Sequence, residues 1–91
     1  MKWLEIIKLR ASGNSEDLRA QLLQSIADVN QQGGSVRINA YRHAALESDL
    51  SLHLHWQSER SDELGSTLGL QLARSLKEFG LIDHSLWIEE E

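Results

Sequence analysis

Residues 36–57, VRINAYRHAALESDLSLHLHWQ, alternate between apolar and polar positions on either side of a polar break. Side chains alternate faces along a strand, so residues two apart share a face. The pattern predicts two strands folded back on each other. One face collects Val36, Ile38, Ala40, Leu50, Leu52, Leu54 and Trp56, and the other Arg37, Asn39, Tyr41, His43, Ser51, His53, His55 and Gln57. With the turn inside 45–49, the expected pairs are Tyr41 with His53, Asn39 with His55 and His43 with Ser51. A slip of one residue would push histidines into the core, so the faces are well specified.

The flanking stretches predict four further elements. Residues 3–11 read as a strand with Trp3, Ile7 and Leu9 on one parity and Leu4, Ile6, Lys8 and Arg10 on the other. Apolar residues on both faces suit a central strand. Asn14 or Ser15 is placed to cap a helix in which Leu18, Leu22, Ile26 and Val29 recur at helical spacing and Leu23 widens the stripe. Gly33 and Gly34 end it. A second helix starts at Ser61 or at Ser66, with Leu68, Leu72, Leu76 and Phe79 as its buried stripe and Leu64 joining under the earlier start. Gly65 and Gly69 lie four apart there, a spacing that can mean close packing on a neighbour, with chance as the plainer explanation. Residues 81–90 form the last strand, in which Ile82, Leu86 and Ile88 alternate with Asp83, Ser85, Trp87 and Glu89, and His84 shares the apolar parity.

The order β-α-β-β-α-β predicts the ferredoxin-like α+β fold, a four-stranded antiparallel sheet with both helices on one face. The 91 residues are expected to make one domain, 1–91. A net charge of −5 lacks the electrostatic footprint of a nucleic-acid binder. The absence of cysteine excludes disulfides and thiolate metal sites, and suits a reducing compartment. The first ten residues are too short and charged for a signal peptide, and no apolar run reaches membrane-spanning length. The expectation is a cytoplasmic protein with no membrane partner.

The two helices cover one side of the predicted sheet, and no element remains to cover the other. That side carries Tyr41, Trp87 and part of the first strand's apolar set, which suits a binding face or half of a homodimer interface. Arg37, Asn39, Tyr41, His43, His53, His55 and Trp87 are the candidate ligand-binding residues. Histidines two apart on a strand point the same way, and imidazole ligates several transition metals. No carboxylate has an obvious place beside them to orient a metal-bound ring, so we assign no metal. The plainer role for the histidines is packing between two copies of the chain. No catalytic residue and no cofactor is assigned. A phosphate-binding glycine loop is also absent.

The segments VRINAYRH and LSLHLHWQS, the leucine-rich TLGLQLARSLKEF and the closing Ser85-Leu86-Trp87-Ile88 resemble the dimeric α+β barrel superfamily, and within it the antibiotic-biosynthesis-monooxygenase-like domains. The resemblance implies a homodimer whose sheets face each other around a cavity for a small organic molecule. A second activity it implies is cofactor-independent monooxygenation of an oxygenated aromatic compound. A third possibility is a protein-interaction or regulatory ligand-binding module. Heme-degrading relatives use an Asn–Trp–His set with the Asn on the first strand and the His on a helix. This chain has neither at those places, so that activity is not carried over.

Overall fold

The computed structural model describes residues 2–11, 16–46, 48–57 and 65–90. Strand β1 (Trp3–Ala11) leads to helix α1 (Glu16–Gln32), then β2 (Val36–Arg42) and β3 (Asp49–Trp56). Helix α2 (Thr67–Leu76) continues through a 3-10 turn (Lys77–Phe79) into β4 (Gly80–Ile88). The strands form one antiparallel sheet in the order β2-β3-β1-β4. This is the predicted ferredoxin-like arrangement, with β1 in the interior of the sheet. The caps expected at Asn14 or Ser15, the earlier α2 start at Ser61 and the stripe position Leu64 lie outside the described residues. Ser66 caps α2 through its hydroxyl, which accepts from Gly69 N at 2.8 Å, so the later start holds.

The core lies between the helices and one face of the sheet. Ile7, Leu9, Ile38, Leu50, Leu52 and Leu54 project from the strands, and Leu22, Ile26, Ala73 and Leu76 meet them from the helices. Trp3 and Trp56 stack at the end of that face, with ring centroids 5.3 Å apart and planes within 9°. Asn30 fastens α1 to the outer edge of β2. Its side chain donates to Ile38 O at 3.0 Å and accepts from Ile38 N at 2.9 Å, satisfying backbone groups that an edge strand leaves open.

Three details differ from the sequence reading. Leu23 is 49% exposed, because a single stripe, Leu22 and Ile26 with Val29 beside them, suffices to dock α1. On α2 the buried line is Gly69, Ala73 and Leu76, with Leu68 and Leu72 partly buried to its sides and Phe79 37% exposed. Small residues at the centre let the helix approach the sheet closely. The hairpin register is also shifted by two. Asn39 pairs with His53, Arg37 with His55 and Tyr41 with Ser51, while His43 N bonds Asp49 O at 3.0 Å. A two-residue shift preserves every face assignment. The turn lies one residue earlier than assumed, because Asp49 already belongs to β3.

Candidate functional site

The uncovered face of the sheet is built in rows, one residue from each strand. The first row is Arg37, His55, Leu4 and Trp87, and the second is Asn39, His53, Ile6 and Ser85. The third is Tyr41, Ser51, Lys8 and Asp83, with Asp49, Arg10 and Leu81 beyond it. Six of the seven candidate residues therefore share this face, and His43 follows directly after β2. Tyr41 is 48% exposed and Trp87 58%. Large aromatic surface left in water is a common mark of a contact face.

The histidines have different local roles. The His43 Nδ1 accepts from Ala45 N at 3.0 Å and Leu46 N at 3.1 Å, so this side chain caps the β2–β3 turn. His53 packs on Tyr41, with ring centroids 4.6 Å apart, and its Nε2 lies 3.0 Å from Ser51 Oγ. Burial, followed by the neighbouring His55 and Lys8, holds its pKa below the ordinary 6.5. In the neutral tautomer with an unprotonated Nε2, the ring accepts a hydrogen bond from the Ser51 hydroxyl. His55 stands 6.3 Å from His53, ring to ring. The Trp87 Nε1 donates to Ser85 Oγ at 3.0 Å. Among the described residues no group of three metal-ligating side chains converges.

A cleft of about 520 Å3 opens where this face meets the β2–β3 turn. Its walls include Lys8, Arg10, Tyr41, His43, Ser51 and Asp83. The volume is within the range of small-molecule sites, roughly 300–1,000 Å3. Tyr41 and His43 border it. Arg37, Asn39, His53, His55 and Trp87 lie outside its walls, so the candidates divide between a cleft and the flatter surface beside it.

Sequence reasoning missed a second constellation on the opposite face. Glu5 is fully buried on β1. Its Oε1 accepts from Trp56 Nε1 at 2.8 Å and from the Ser66 hydroxyl, and its Oε2 lies 2.8 Å from His84 Nε2. An ionised carboxylate only accepts hydrogen bonds, and all three partners can donate. Gly65 and Gly69 make the space. A methyl on Gly69 would lie 2.7 Å from Glu5 Cδ, and one on Gly65 would lie 2.7 Å from Oε2 and 2.8 Å from His84 Cε1. The signals were present in the sequence. Glu5 interrupts the parity of Trp3, Ile7 and Leu9, His84 shares the apolar parity of β4, and the two glycines sit one helical turn apart.

Fold and site together define a ferredoxin-like α+β protein with one sheet face covered by helices and the other an open aromatic and histidine-bearing surface. Among solved structures, the chain is similar to Rv0793 from Mycobacterium tuberculosis, with a TM-score of 0.71 and 12% identity over 100% of this chain and 97% of that one. It is also similar to a mutant form of SnoaB, a cofactor-independent oxygenase from Streptomyces nogalater, with a TM-score of 0.67 and 16% identity over 99% and 94%. At these identities the likeness is one of fold. Neither a family model nor a curated protein sequence matches the chain. No helix among the described residues is long and apolar enough to cross a membrane.

Proposed function

We propose that this chain is a homodimeric α+β barrel protein whose open sheet face closes against a second copy and takes a small organic molecule there. One observation carries the reading. Among the described residues all the helical cover lies on the other face, leaving Tyr41, Trp87 and the half-buried Leu4, Ile6, His53 and His55 in one continuous surface. A face of aromatic and aliphatic groups with few charges at its centre has the composition of an interface core. The cleft at its turn end supplies room for a ligand.

Tyr41→Arg tests the interface. It places a cation on each contact face, at its β2 edge, without touching the helix-side core. Sedimentation velocity is expected to show a monomer, or a dimer weakened at least tenfold, since one desolvated unpaired charge costs more than about 1.4 kcal/mol. An unchanged dimer would place the contact elsewhere.

A second reading is a cofactor-independent oxygenase acting on an oxygenated aromatic compound, favoured by the fold shared with SnoaB. A histidine takes a proton from an activated ring carbon, and the carbanion adds O2. The resulting hydroperoxide loses water to leave a carbonyl. Arg37, Asn39 and Tyr41 orient the substrate oxygens and stabilise negative charge. Oxygen-electrode assays with anthrone, a carbon acid of this kind, are expected to show one O2 consumed per anthrone converted. Uptake no faster than the buffer rate removes this reading and leaves the binding one intact.

A further inference from the structure

The third row of the open face joins one residue from each strand, Tyr41, Ser51, Lys8 and Asp83, and all four border the cleft. Directly paired side chains stand about 4.5–5.5 Å apart at Cβ, so the Ser51 hydroxyl lies between a phenol ring and an ammonium group. Arg10, in the same cleft, is engaged by Asp49 at 3.6 Å. No ion pair engages Lys8 among the described residues. His53 is outside the cleft walls, yet its Nε2 is hydrogen-bonded to Ser51 Oγ. The cleft, which Arg42 also lines, therefore has at Lys8 a cation outside any ion pair among the described residues, an aromatic wall and a hydroxyl wired to an imidazole.

We propose that the cleft binds a small weak acid as its anion, with Lys8 holding the negative charge and Ser51 relaying the ligand's proton to His53. The proposal deepens the reading of this face as a small-molecule site and rests on it. The ligand's acidic proton passes to Ser51 Oγ while the Ser51 hydroxyl proton passes to His53 Nε2. The products are a ligand anion beside Lys8 and an imidazolium at His53. No electron changes hands, and charge is conserved.

The two halves of this transfer favour each other. In the free protein burial, His55 and the Lys8 charge favour the neutral His53 ring. An anion seated at Lys8 cancels that repulsion, so the imidazole holds a proton more tightly once the ligand is bound. Proton and anion then bind with positive coupling. The charged and titratable groups facing His53 on this surface are Lys8 and Arg10 from β1, Arg37 and Tyr41 from β2 with His43 directly after it, His55 and Asp49 from β3, and Asp83 from β4. Asp83 stands beyond Lys8 in its row, and Asp49, two residues from Ser51 on β3, is engaged by Arg10, so Lys8, paired directly with Ser51, is the cation next to the hydroxyl.

The probe is 4-nitrophenol, which ionises near neutral pH and whose phenolate is read by its visible absorbance. It is titrated into the full chain with 13C-labelled histidine. The expected result is a bound phenolate, a downward shift of the ligand's apparent pKa, and movement of the His53 ring signals to the imidazolium position. Lys8→Met is expected to weaken binding about fivefold, the value of an ion pair of about 1 kcal/mol. Ser51→Ala should shrink the His53 response while leaving the phenolate at Lys8. The non-ionising 4-nitroanisole should not move the His53 signals. Nitrophenol bound in its neutral form, a His53 signal that ignores the ligand, or a Lys8→Met variant that binds equally well would each overturn the proposal. If sedimentation shows a monomer that still takes up nitrophenolate in this way, the dimer reading falls and this one stands. A dimer without the coupled response sinks this one alone.

Discussion

Replacing Gly69 by Ala is expected to lower stability by about 3 kcal/mol, against the direction that helix propensity alone would give. In an unconstrained helix the change from Gly to Ala gains about 1 kcal/mol. Here the new methyl would sit 2.7 Å from Glu5 Cδ and closer still to Oε2. Glu5 is fully buried and tied to three partners, so it has little room to withdraw. Overpacking costs about 1–3 kcal/mol, and each strained or broken hydrogen bond to a charged group about 1.5–3 kcal/mol. Those terms exceed the propensity gain. Thermal unfolding should show a midpoint lower by roughly 10–25 °C, at about 4–8 °C per kcal/mol for a chain of this size. A midpoint above that of the native chain would mean that α2 does not press on Glu5.

Replacing Glu5 by Leu should cost as much or more, about 3–5 kcal/mol, the usual penalty for removing one partner of a buried charged group. The leucine fills the space but leaves the Trp56 and Ser66 donors and His84 Nε2 without an acceptor. Glu5→Gln should be milder. Its amide oxygen still accepts from Trp56 and Ser66, while its NH2 faces His84, which can present an unprotonated Nε2 by changing tautomer. Urea denaturation is therefore expected to rank the proteins native, then Glu5→Gln, then Glu5→Leu. A leucine variant at least as stable as the native chain would mean that the polar network contributes nothing beyond its volume, an outcome known for some buried ion pairs.

Both positions fall where the sequence was hardest to read. The hairpin faces were legible because alternation is a strong constraint. Leu50, Leu52 and Leu54 are buried, and His53 and His55 lie on the other side, as the pattern required. The element order and the sheet followed from the same periodicities, and strand β1 runs from Trp3 to Ala11 as expected. The pairing within the hairpin was not legible. A turn fixes register through its own geometry, and the His43 side chain that organises this turn acts through hydrogen bonds to Ala45 and Leu46 that no periodicity reveals.

The Glu5 network escaped for a different reason. A carboxylate on a core parity looks like an interruption until its partners are known, and they come from β3, the start of α2 and β4, at sequence separations of 51, 61 and 79 residues. The glycine pair has meaning only beside that carboxylate. On the open face, the candidate residues were legible as a group. Their division into a turn cap at His43, a cleft at Tyr41 and a flatter surface around His55 and Trp87 depended on the cross-strand rows. Ser51 and Lys8, which border the cleft, gain significance from their direct pairing and from the bond between Ser51 and His53.

Helices shield one side of this sheet, and we assign the other side to a second copy of the chain. Sedimentation equilibrium of the native protein at micromolar concentration tests that most directly. It should return twice the 10.3 kDa chain mass. A single-chain mass at every concentration, with Tyr41 and Trp87 open to water, would contradict it.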